Sequence, residues 1–108
     1  MDQKKIMLSV DETKGRLSPL FEDESLLLIL LFGSVTTGDA HRHSDIDLAF
    51  LFDTPVDILE LTNRVIRLLH NDDVDVIDLR HAKPLLKYSV AKNGLVIYEK
   101  MAGIYNQF

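Results

Sequence analysis

Two continuous apolar runs separated by a short polar stretch constrain this chain more than any other feature. Leu26-Leu27-Leu28-Ile29-Leu30-Leu31-Phe32 comes first and Leu48-Ala49-Phe50-Leu51-Phe52 follows. Uninterrupted runs of this length, bounded by turn residues, fit strands buried on both faces rather than strands with one wet side. Between them lie Gly33-Ser34, Gly38 and Ser44-Asp45-Ile46-Asp47. The two glycines bracket a connection in which the backbone can approach a ligand closely. Asp45 and Asp47 are two residues apart, so on a strand they project from the same face. Paired carboxylates repel unless a positive charge sits between them, and Mg²⁺ is a hard cation suited to one or two carboxylates plus phosphate oxygens. The plainer alternative is a pair of solvated carboxylates at a strand end.

The remaining elements read from local signals. Over residues 1–25, Ile6, Met7, Val10, Leu17, Leu20 and Phe21 give a partly helical spacing interrupted by Gly15 and Pro19. We expect an amphipathic helix around Thr13 to Phe21, then a polar turn, Glu22-Asp23-Glu24-Ser25. After the second apolar run, Thr54 is expected to cap a helix whose first residue is Pro55. Ile58, Leu59, Leu61, Val65, Ile66, Leu68 and Leu69 recur at helical spacing, and Asn71 is placed to end that helix in the left-handed region. Val74 to Leu79 reads as a third strand. A second helix is expected from Lys83 to Lys92, with Pro84 in its first turn and Gly94 as its stop, before a final strand at Leu95 to Tyr98. Met101, Ile104, Tyr105 and Phe108 form an apolar tail without a clear period, a candidate contact for a partner.

With 108 residues, the chain is expected to form a single domain, 1–108, with 1–25 and 101–108 peripheral. The absence of cysteine excludes both disulfides and thiolate metal sites. No h-region follows the first residues and no apolar run approaches the ~20 residues that span a bilayer. The expectation is a cytoplasmic protein with no membrane association. A net charge of −5, from 12 basic and 17 acidic residues, argues against direct nucleic-acid binding through a basic surface.

Gly33-Ser34, ten intervening residues and Asp45-Ile46-Asp47 resemble the signature of the DNA polymerase β-like nucleotidyltransferase superfamily, and more narrowly its minimal nucleotidyltransferases, the MNT family. The flanks agree, Leu31-Phe32 before and Leu48-Ala49 after. The resemblance implies an α/β (α+β) nucleotidyltransferase-fold core, a small mixed β-sheet bearing the aspartates on one edge with helices packed on it. Asp45 and Asp47 match the first two metal-binding carboxylates. Asp75 is the best match for the third, which would ligate the metal beside the nucleophile and help take its proton. Strand parity supports Asp75 over Asp78, which should face the other way; Asp73 shares the parity of Asp75 but sits at the strand's edge. Together the three would hold two Mg²⁺ ions.

Gly33 and Ser34 belong to the phosphate end of ATP, where turn amides and a hydroxyl can donate to phosphate oxygens. The family often carries an arginine just before the second glycine; here that segment is Val35-Thr36-Thr37-Gly38, and Arg42 is the substitute candidate. Proteins of this size and family are typically antitoxins paired with a HEPN-domain ribonuclease. In the studied types they transfer AMP to a tyrosine of the toxin. Two rivals stand beside this reading, a catalytically inactive module that inhibits its partner by contact, and a small-molecule transferase of the aminoglycoside type. His41, His43, His70 and His81 read as loop and helix-end residues rather than metal ligands.

Overall fold

The computed structural model describes residues 9–32 and 46–104. Gly33, Ser34, Arg42 and Asp45 lie outside the described residues, as do His41, His43, Tyr105 and Phe108. The elements are α1 (Val10–Leu17), a 3₁₀ turn (Ser18–Glu22), β1 (Leu26–Phe32), β2 (Ile46–Phe52), α2 (Ile58–Leu69), β3 (Val74–Asp78), α3 (Pro84–Asn93) and β4 (Leu95–Glu99). The strands form one mixed sheet in the order β3-β2-β1-β4. β1 is antiparallel to both β2 and β4, and β2 is parallel to β3.

Both faces of this sheet are covered, as the two apolar runs require. On one face Leu26, Ile29, Leu48 and Phe50 pack with Leu17, Leu20, Leu61, Val65 and Leu69, so α1, the 3₁₀ turn and α2 close that side. On the other, Leu28, Leu30, Phe32 and Ala49 pack with Leu79 and Val90, joined by Ile77, Leu86 and Ile104. The helices therefore lie on both sides of the sheet, with α3 on the face opposite α1 and α2. Each fully buried aliphatic or Phe side chain contributes on the order of 1.5–3 kcal/mol, so these two clusters carry most of the stabilisation.

The helix boundaries differ from the sequence expectations for identifiable reasons. α1 begins at Val10, before Thr13, because Ser9 and Glu12 form a reciprocal capping box that supplies partners for two otherwise orphaned amides. Pro19 lacks an amide hydrogen and converts the continuation into the 3₁₀ turn rather than ending the segment. Leu17 and Leu20 then enter the core, so this part of 1–25 is not peripheral. α2 starts at Ile58 rather than Pro55, because the Asp57 carboxylate accepts from the Leu59 and Glu60 amides. Its left-handed terminal residue is His70 (φ 55, ψ 40), one before Asn71.

Gly94 follows α3 with an ordinary extended φ of −77°, so conformation does not require glycine there; space does. A Cβ would fall 2.5 Å from the Val90 carbonyl oxygen and 3.3 Å from Leu30 Cβ. Gly94→Ala should therefore destabilise the fold by about 1–3 kcal/mol, read as a lower denaturant midpoint with an unchanged slope. The second expectation concerns pH. The Ser25 hydroxyl and amide donate to the Asp23 carboxylate at the entry to β1, holding its carboxyl below the usual range. A lowered folded-state value stabilises above the unfolded-state value and is lost as pH falls through the folded one. The stability gap between wild type and Asp23→Ala should accordingly begin to narrow as pH falls below about 4 and go on narrowing through the lower folded-state value; a gap that stays constant as the pH is lowered would refute it.

Candidate functional site

The carboxylates are brought together by the register of the parallel pair. Asp47 of β2 stands directly opposite Asp75 of β3, with Leu48 opposite Val76 and Ala49 opposite Ile77. Directly paired residues share a face, and side chains alternate along each strand. Asp47 and Asp75 therefore lie on the face of Ala49 and Ile77, the side covered by α3. Val74 and Val76 pack on the opposite side with α2. Asp78 has the parity of those valines; its carboxylate accepts from the Arg80 amide at 3.0 Å and lies 3.9 Å from His81 Nε2. The register thus separates Asp75 from Asp78 in the way strand parity predicts.

The environments of the two paired carboxylates differ. Asp47 is only 2% exposed and has Phe32 of β1 as its other cross-strand neighbour. Asp75 is half-buried on the edge strand. Like charges directly opposite one another across a sheet are destabilising, and taking a carboxylate out of water adds a further cost. All-oxygen donors arranged this way suit a hard divalent cation. Among the described residues no set of three His, Asp or Glu side chains comes together as a metal site. Asp45 is the expected third member and lies outside them, as do Gly33, Ser34 and Arg42, the residues expected to bind phosphate.

The start of β3 is fixed by a turn whose role was not foreseen from the sequence. Arg16 Nη1 of α1 donates to the Leu69 carbonyl at 2.9 Å, satisfying one of the carbonyls left at the end of α2. The left-handed His70 then reverses the chain. The Asn71 side-chain oxygen accepts from the Asp73 amide at 2.7 Å, and the Asp73 carbonyl accepts from the Ile46 amide at 3.3 Å. That last bond lies one residue before the Asp47–Asp75 pair and sets its register. The available signal was Asn two residues before Asp73, since Asn side chains commonly bond the backbone two residues on.

With the geometry established, likeness to known proteins becomes informative. The family model described as polymerase beta, nucleotidyltransferase matches residues 16–102, and the chain belongs to that family. A curated relative from Shewanella oneidensis, the protein adenylyltransferase MntA, is 42% identical over 72 residues, which cover 64% of this chain and 51% of the relative. This chain therefore spans about half the length of that relative. A solved toxin–antitoxin structure with AMP-PNP matches at a TM-score of 0.70 and 32% identity, covering 87% of this chain and 78% of that one. The MNT antitoxin complexed with tri-AMPylated Shewanella oneidensis HEPN toxin is also similar, with a TM-score of 0.64 and 27% identity over 84% of this chain and 73% of that one.

The turn yields a prediction. Asn71→Ala removes the acceptor of the Asp73 amide and should cost about 0.5–1.5 kcal/mol in stability. Asn71→Asp retains an acceptor and should recover most of that loss. Equal destabilisation by the two substitutions, measured by chemical unfolding, would show that the bond does not hold this turn.

Proposed function

We propose that this member of the nucleotidyltransferase family moves a nucleoside monophosphate, AMP from ATP, onto a hydroxyl of a partner protein. The partner is a HEPN ribonuclease toxin, which the transfer neutralises, making the chain its antitoxin. The observation that carries the reading is the direct opposition of Asp47 and Asp75 on one face of the parallel pair. Support comes from the adenylyltransferase name of the Shewanella relative, the AMP-PNP in one similar complex and the AMPylated toxin in another.

In this reading Asp45, Asp47 and Asp75 hold two Mg²⁺ ions. When bound, these supply charge stabilisation at the attacking and departing oxygens of an in-line displacement. Asp75, half-open at the edge of the sheet, takes the proton of the acceptor hydroxyl as its oxygen forms a bond to the α-phosphorus. Pyrophosphate leaves with the electrons of the broken bond. Asp47, almost fully buried with Asp75 and Phe32 as its cross-strand neighbours, contributes a desolvated carboxylate to that set. Gly33, Ser34 and Arg42 bind the triphosphate. The chain works as a single domain over 1–108, in the cytoplasm; among the described residues no helix is long and apolar enough to cross a membrane.

The test is transfer of label from α-labelled ATP to the purified Shewanella oneidensis HEPN toxin in the presence of Mg²⁺. Asp47→Asn should abolish transfer while leaving the unfolding midpoint unchanged or slightly higher without metal, since a buried like-charge pair is relieved. Asp75→Asn should lower kcat by roughly a hundredfold or more, with nucleotide binding far less affected. Asp78→Asn should change kcat by only a few-fold. Undiminished transfer by Asp47→Asn would overturn the site, and toxin inhibition without any transfer would favour the contact-only module.

A further inference from the structure

The charge of this chain is unevenly distributed. Residues 79–100 contain five of its 12 basic residues, Arg80, Lys83, Lys87, Lys92 and Lys100, and only one of its 17 acidic residues, Glu99. This basic segment contains α3, which covers the sheet face that carries Asp47 and Asp75. The inner side of α3 is occupied by Leu86 and Val90. Its outer side carries Leu85 and Tyr88, which are 84% and 65% exposed. Leu85, Tyr88 and Lys92 fall on one stripe, at i, i+3 and i+7, with the Lys92 ammonium 5.8 Å from the Tyr88 ring centroid. Lys83 stands at the residue before the first turn of the helix and is also exposed.

An exposed Leu and Tyr set among lysines have the composition of an interface centre with a charged rim. Tyr is among the residues that most often dominate binding energy. The basic rim selects an acidic counterpart, which steers association and fixes orientation. A nucleic acid would use the lysines but offers less to the strongly exposed Leu85, so a protein surface fits better. We propose that the outer face of α3 is the docking surface for the acceptor protein, which presents an apolar depression with an acidic rim to Leu85 and Tyr88. This rests on the transferase reading above and adds to it the face by which the acceptor is held. Docking on α3 brings the acceptor to the side of the sheet that carries the paired carboxylates.

The experiment measures binding of the full chain to purified Shewanella oneidensis HEPN toxin without ATP, with label transfer followed separately. Leu85→Asp and Tyr88→Ala should each weaken binding at least tenfold while leaving the thermal midpoint unchanged. Lys83→Glu with Lys92→Glu should weaken binding and reduce its salt dependence. Leu59→Asp, at a 71% exposed position on α2, is the control and should bind as wild type. Wild-type-like binding by the α3 variants, with transfer intact, overturns the docking surface and leaves the transferase reading standing. Loss of binding by the α3 variants, in a wild type that transfers no AMP, supports the surface and rejects the transferase reading. Failure of the wild type to bind the toxin, or α3 substitutions that alter affinity only for a single-stranded RNA oligonucleotide, also overturns the proposal.

Discussion

The burial of β1 and β2 on both faces is the constraint on which the rest of this structure depends. Seven successive apolar residues in β1 leave no side that water could occupy. The chain therefore has to place helices above and below the same two strands. α2 meets one demand by crossing from β2 to β3, which makes that pair parallel. α3 meets the other by crossing from β3 at one edge to β4 at the opposite edge. The mixed character of the sheet follows from these two connections, since helical crossovers join parallel strands whereas β1 pairs antiparallel with both of its neighbours.

The site is a consequence of the same arrangement. Asp47 continues an apolar strand and is carried into a desolvated position that an isolated carboxylate would not occupy. The parallel crossover sets Asp75 against it. Two acidic residues set directly opposite one another at the start of the β2–β3 ladder work against stability, and this local cost is what makes the pair a candidate site. The supporting parts are ordinary ones. An arginine on a helix-end carbonyl, a left-handed residue and an Asn-capped turn place the first bond of the β2–β3 ladder.

Much of this was legible in the sequence wherever a local pattern had a single physical solution. β1 and β2 follow from unbroken apolar runs, α2 from a period of 3.6, α3 from its proline start and glycine stop, and the separation of Asp75 from Asp78 from the period of two. Boundaries were less legible because several residues competed for one role. Thr54 and Asp57 can both cap a helix, and Asp57 prevails because its carboxylate reaches two amides. Asn71 is the better left-handed residue by propensity, yet His70 occupies that position while Asn71 bonds the Asp73 amide. Pro19 reads as a helix breaker, but a 3₁₀ turn accommodates it and carries Leu20 into the core.

By itself the sequence determined the buried strands, the same-face parity of the acidic residues and the locally basic character of residues 79–100, where five basic residues face one acidic residue in a chain of net charge −5. Those properties depend on spacing along the chain, and spacing survives any arrangement of the elements. Only the tertiary structure decided which strands are neighbours, that Asp47 faces Asp75 residue for residue, and that α3 covers the face opposite α1 and α2 with Leu85 and Tyr88 exposed. Each of those outcomes depends on how helices share the two faces of one sheet, a competition among distant residues that no local pattern records.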